Sequence, residues 1–174
     1  MLRKNDRDQI FRRPNGARAP LPFSAAEYER RIAALRAIMA ERGLSAALLT
    51  SMHNIAYYTG FLYCSFGRPY GCVVTESGCA VISANIDGGQ PWRRSWCDNL
   101  IYADWRRDNF QRAAADLIGS APRLGIEGDH LTLSARDALL ATLGAVELVD
   151  LAPGRALDYE TATSHSITIQ SSDG

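Results

Sequence analysis

Between Ser24 and Leu151 short apolar runs alternate with stretches of helical period, and this alternation restricts the chain to a sheet covered by helices. Ser24-Ala25-Ala26-Glu27 reads as a capping box, with Phe23 and Tyr28 placed as a hydrophobic staple. Tyr28, Ile32, Leu35 and Met39 then recur at helical spacing until Gly43, a helix-ending residue. Ser45–Thr50 is short and apolar, so it predicts a buried strand, and Asn54–Thr59 predicts a helical turn closed by Gly60. Gly71–Thr75 and Cys79–Ala84 predict two strands joined in a hairpin by Glu76-Ser77-Gly78. Further strands are expected at Leu100–Ala103, Leu124–Glu127 and Val146–Leu151. Helices are expected at Arg107–Gly119 and at Ser134–Gly144, the latter opening with Ser134 and Asp137. The expected fold class is therefore α/β, a mixed β-sheet flanked by helices.

The two ends lack such patterning. Residues 1–22 are basic, carry Pro14, Pro20 and Pro22, and show neither period, which predicts a flexible or extended arm. Residues 153–174 contain little that could be buried. After Arg155 the basic residues stop, and Ser and Thr dominate. That tail is expected to be disordered, or to add one edge strand through Ile167–Ile169. Residues 23–152 form the expected domain between them.

Charge narrows the function classes. Lys plus Arg and Asp plus Glu both number 19, so the formal net charge is zero, against the basic face of a nucleic-acid binder. No apolar run reaches the roughly 20 residues that span a bilayer. The charged opening (Arg3, Lys4, Asp6, Arg7, Asp8) lacks the apolar core of a secretory signal, so a cytoplasmic location is expected. Cys64, Cys72, Cys79 and Cys97 form no CxxC pair, and His53, His130 and His165 are scattered, so no metal site is expected. Three of these cysteines sit in apolar or aromatic surroundings, which suit a thiol to a packing role.

No GxSxG, HExxH or phosphate loop occurs, so no catalytic residue is assigned. His53 and His130 lie near strand ends but lack a neighbour in sequence that would activate them; hydrogen-bonded structural roles are expected. Asp87-Gly88-Gly89 reads as a turn, and Asp104–Asp108 as helix-start acids and surface pairs. Phe61–Tyr70 is different, with Phe61, Tyr63, Phe66 and Tyr70 crowded around Gly67, Arg68 and Pro69. Either these aromatics pack inward or they form an interface around Arg68. The guanidinium fork of Arg68 matches the two oxygens of a carboxylate. Composition leaves both readings open.

Six segments, Ala46–Tyr58, Phe61–Tyr70, Ile82–Arg94, Asn99–Asn109, Gly125–Leu131 and Glu147–Leu151, resemble the N-terminal domain of the creatinase family, within the wider prolidase and aminopeptidase P group. The likeness runs from about Phe23 to Leu151. It implies the creatinase/prolidase N-terminal fold, with a ribonuclease H-like motif. It also implies a homodimeric hydrolase that turns creatine and water into sarcosine and urea without metal or other cofactor. In that family the catalytic histidine and glutamates sit in a larger C-terminal pita-bread domain. The resemblance implies that Phe66 and Arg68 reach the neighbouring subunit's site, Arg68 clamping the creatine carboxylate and Phe66 walling the pocket. The stretch after Leu151 departs from the family, which leads to the expectation of a truncated or frameshifted product, inactive alone. Other expectations stand beside it: a binding or dimerisation module paired with a separate catalytic chain, a relative acting on another guanidino acid or an Xaa-Pro peptide, or a small enzyme using Cys64 or His53.

Overall fold

A computed structural model of the chain describes residues 10–12, 16–63, 67–87, 89–103 and 108–151. Phe66, Cys64, Gly88, residues 104–107, and the tail 153–174 with His165 lie outside them, so the expectations made for these positions are not tested.

Among the described residues seven strands form one mixed sheet: β1 (Ile10–Phe11), β2 (Ala46–Leu49), β3 (Gly71–Thr75), β4 (Cys79–Ala84), β5 (Asp98–Tyr102), β6 (Arg123–Ile126) and β7 (Glu147–Asp150), in the order β1-β5-β4-β3-β2-β6-β7. The β1–β5, β2–β3 and β3–β4 pairs are antiparallel; β4–β5, β2–β6 and β6–β7 are parallel. The helices between them are α1 (Ala25–Glu41), α2 (Met52–Thr59), α3 (Gln90–Arg94), α4 (Asn109–Ile118) and α5 (Leu133–Leu143). The α/β mixed sheet expected from the alternation is the fold observed.

The strand period of two divides the core into two layers. Leu49, Cys72, Val74 and Val81 point to one face and pack with Ile32, Leu35 and Met39 of α1 and Ile55 of α2. Their neighbours Leu48, Val73 and Ile82 point to the other face and meet Phe110, Ala113 and Ala114 of α4 and Leu139 of α5. Each fully buried Leu or Ile contributes about 1.5–3 kcal/mol relative to exposure. Every residue of β2 is buried, as a strand covered on both faces requires. Gly71 is needed where the layers close in: a Cβ there would lie 2.9 Å from both the Leu49 carbonyl oxygen and Phe110 Cζ.

The helix α1 starts as its sequence dictates, with one difference. Ser24 Oγ accepts from the Glu27 amide at 3.3 Å, and Phe23 meets Tyr28 edge-on at 6.1 Å. Glu27 does not complete the capping box. Its carboxylate instead takes hydrogen bonds from Arg30 at 2.8 Å and Arg31 at 2.7 Å, because two guanidinium groups outcompete one backbone amide. At α5 the cap is Thr132, accepting from the Ala135 amide at 3.2 Å, so the helix begins before Ser134.

Part of the stretch 1–22, expected as a flexible or extended arm, makes contacts with the rest of the domain. Ile10 pairs with Tyr102 and Phe11 with Ile101 at the sheet edge, and Arg12 bonds Asp98 at 2.8 Å. Farther on, Arg18 lies 4.2 Å over the Trp92 ring, Ala19 donates to the Arg93 carbonyl at 2.7 Å, and Trp92 Nε1 donates to the Gly16 carbonyl at 3.0 Å. Backbone pairing and α3 hold this stretch, neither of which leaves a periodic signature.

The cysteines, expected in a packing role, include a bonded pair. Cys79 and Cys97 are joined in a disulfide, while Cys72 is a buried free thiol. Among the described residues no helix is long and apolar enough to cross a membrane.

Candidate functional site

A cavity of about 550 Å³ opens at the carboxyl ends of the parallel strands β2 and β6, on the face covered by α4 and α5. That volume lies within the range of ordinary small-molecule sites, and open α/β sheets bind ligands at this end of their strands. Leu48, Phe110 and Leu139 form apolar walls, and Arg68, Gln111 and His130 bring polar groups to them.

The segment 60–70 positions Arg68. Gly60, at φ 80°, ends α2 in the left-handed region that glycine adopts at little cost. Phe61 then stacks on Tyr63 at 5.3 Å, and Tyr70 meets both rings edge-on at 6.0 and 5.8 Å. Phe61 and Tyr70 are buried. The inward-packing alternative therefore holds for Phe61, Tyr63 and Tyr70, and Phe66 lies outside the described residues.

The backbone beside Arg68 is fastened from both sides. Tyr70 Oη donates to the Tyr63 carbonyl at 2.6 Å, Tyr63 Oη donates to Asp87, and Tyr102 Oη donates to the Pro69 carbonyl at 2.6 Å. Arg68 is half-buried at the tip and lines the cavity. Burial pushes the Tyr102 phenol up to about 12, Asp87 adds to the rise, and the Arg68 charge opposes it. The phenol therefore stays a neutral donor and holds Pro69 across the ordinary pH range. A clamped turn presenting a guanidinium over an apolar cavity is suited to a carboxylate with a small apolar body.

Gln111 was not singled out in the sequence. Its side chain lines the cavity, the residue is 8% exposed, and its Oε1 has no hydrogen-bond partner among the described residues. A buried acceptor without a donor costs about 1–3 kcal/mol unless something supplies one. His130, expected as a structural histidine, lies on the cavity wall with Nδ1 3.1 Å from Thr50 Oγ1. His53 is exposed on α2 and does not line the cavity.

Glu127 was also missed. It is 1% exposed, at the end of β6, and its carboxylate accepts from the Ser51 amide at 2.7 Å, Ser51 Oγ at 2.6 Å, Asn54 Nδ2 and the Thr50 amide. These neutral donors, together with the amino end of α2, compensate the buried charge. Glu127 thereby fixes Thr50 and, through it, one wall of the cavity. The available signal was an acidic residue closing an otherwise apolar strand.

Away from the cavity, Cys72 of β3, Cys79 of β4 and Cys97 just before β5 lie side by side, with all three sulfurs within 4.8 Å of one another. Sequence spacing could not reveal this grouping, because neighbouring strands rather than a CxxC turn create it.

With this geometry in view, comparison with known proteins is decisive. The Creatinase/Prolidase N-terminal domain model matches residues 31–157. The chain belongs to the creatinase/prolidase N-terminal domain family. It is 46% identical over 142 residues to a creatinase from Bacillus sp. (strain B-0618), a match covering 79% of this chain and 34% of that protein. The chain thus spans about a third of the length of that relative. Among solved structures, the N-terminal domain of an X-Pro dipeptidase from Streptococcus pyogenes superposes with a TM-score of 0.63 at 17% identity, covering 75% of this chain and 96% of that one. An Xaa-Pro dipeptidase from Bacillus anthracis gives 0.59 at 19% identity, covering 71% of this chain and 33% of that one. At such identities the two structures support the fold alone. As a member of this family, the chain places Arg68 on a cavity that is part of the domain itself.

Proposed function

We propose that this creatinase-type domain serves a creatine-cleaving hydrolase by supplying a substrate-carboxylate contact and a subunit interface, while the base and the guanidinium-holding acids come from a pita-bread domain. Arg68 and Phe66 are the residues that would contact substrate in the neighbouring subunit's site, and the partner is a second subunit in a homodimer. The domain acts on creatine or a similar guanidino acid only within that assembly and turns over nothing alone. The observation that carries this reading is Arg68 itself, held by Tyr70 and Tyr102 through the flanking backbone and facing an apolar cavity. The likeness to creatinase, at 46% identity, supports creatine over a peptide.

Such a clamp raises the rate by positioning the substrate. A hydrogen-bonded charge pair contributes about 1.5–3 kcal/mol, so its loss is worth about 10- to 100-fold. The test replaces the N-terminal domain of the Bacillus creatinase with this one and compares the chimera with its Arg68→Ala form. The expected result is a 10- to 100-fold fall in kcat/KM for creatine, carried mainly by KM, with an unchanged melting curve. Equal kinetics for the two forms would remove Arg68 from the site.

A further inference from the structure

The three gathered cysteines lie on the other face of the sheet from the cavity and play no part in the function proposed above. The register explains how they meet. Cys72 pairs with Val81, and Val74 with Cys79, so Cys72 and Cys79 occupy the same face one diagonal apart on β3 and β4. Ala80 pairs with Asp98 in the parallel β4–β5 ladder, which sets Cys79 beside Cys97 with their Cα atoms 5.3 Å apart. The Cys79–Cys97 disulfide forms there, and Cys72 Sγ stands 3.6 Å from Cys79 Sγ.

We propose that Cys72, Cys79 and Cys97 form an internal thiol–disulfide exchange site in which Cys72 is the nucleophile, Cys79 the shared sulfur and Cys97 the leaving group. The Cys72 thiol gives up its proton and its sulfur attacks Cys79 Sγ. A Cys72–Cys79 bond forms as the Cys79–Cys97 bond breaks, and Cys97 leaves as a thiolate that takes a proton. One disulfide and one thiol stand on each side of the step, so no external oxidant or reductant enters. Cys79 is the sulfur attacked because it is the one in contact with Cys72.

Burial sets the pace. Cys72 is fully buried, and its thiol is pushed up to about 12 by desolvation, with the Glu127 charge adding to the rise. The resting form is the Cys79–Cys97 disulfide, and exchange is slow because so buried a thiol rarely ionises. The same burial argues against a soft metal ion, which would need the sulfurs as thiolates in an apolar layer built from Val74, Val81 and Met39. The structural consequence concerns which strands are tied. In the resting form β4 is stapled to β5; after exchange it is stapled to β3, the strand that continues directly from Arg68-Pro69-Tyr70.

The experiment maps disulfides by mass spectrometry without reduction. The protein is equilibrated in reduced and oxidised glutathione, quenched in acid, alkylated, and cleaved after Glu and Arg. Glu76 separates Cys72 from Cys79, while Arg93 and Arg94 separate Cys79 from Cys97, so the two disulfides give different linked peptides. The expected result is a majority of Cys79–Cys97 with a minority of Cys72–Cys79, the latter absent in Cys72→Ala. In Cys97→Ser, oxidised glutathione is expected to convert the pair entirely to Cys72–Cys79. Two free thiols, or glutathione retained on Cys79, in a folded Cys97→Ser protein would overturn the proposal. If that variant does not fold, the wild-type map decides: no Cys72–Cys79 peptide at any glutathione ratio overturns it equally.

Discussion

The two faces of the sheet are built from the same alternating strands, yet one is filled and the other is not. On the α1–α2 face, Ile32, Leu35 and Met39 follow one another along α1, and Phe61, Tyr58 and Tyr70 close the remaining space. On the α4–α5 face Phe110, Ala113, Ala114 and Ile118 of α4 and Leu139 of α5 are buried. A cavity nevertheless remains there beside Arg68, walled by Leu48, Phe110 and Leu139. One face is packed throughout and the other is left open at one end, although both rest on the same alternating strands.

Truncating a buried leucine on each face tests this contrast most directly. Leu35→Ala removes a fully buried side chain from the filled face, and the cost is expected near 4 kcal/mol, in the upper part of the range for such changes. Leu139→Ala enlarges a space that already exists, so about 2 kcal/mol is expected. Urea unfolding of both variants measures the difference. Equal losses would mean that the cavity wall is packed as tightly as the core. Between these two in size is Glu127→Ala, which orphans the Thr50 and Ser51 amides and Asn54 Nδ2 together; about 3 kcal/mol is expected. Glu127→Gln, which keeps an acceptor, should recover part of that loss. If Gln and Ala behave alike, the carboxylate is not what holds the end of β6 to α2.

How much of this was legible follows from which forces leave a periodic trace. The β3–β4 hairpin is found at the bounds the sequence predicts, because hydrophobic runs and a Gly-containing turn are local signals. Arg68 could be singled out because an arginine among aromatics is chemically unusual. By contrast α3, a five-residue helix, is too short to show a period, and β1 consists of two residues paired at an edge. Gln111 reads in sequence as one polar residue of an amphipathic helix; only the packing of α4 on the sheet shows that its Oε1 is buried without a donor among the described residues. The Cys79–Cys97 bond spans 18 residues and depends on strand order, which one sequence does not specify. What was missed is what the register creates.

The smallest expected effect lies where α1 meets solvent, outside both faces. The Arg30 and Arg31 guanidinium groups beside Glu27 hold its carboxyl well below the usual carboxylate range, at about 2. A carboxyl with a lowered folded-state pKa contributes stability above its unfolded value and loses that contribution as the pH falls through the folded one. The stability difference between wild type and Glu27→Gln should therefore be level above about pH 4.5 and shrink progressively down to about pH 2. Because the group is open to water, the difference is small and falls with added salt. A difference that stayed constant to pH 2 would assign the role of Glu27 to helix propensity and packing. Arg31 would then owe its buried position to Phe23 and Tyr57, whose rings each lie 4.2 Å from its guanidinium, rather than to the ion pair.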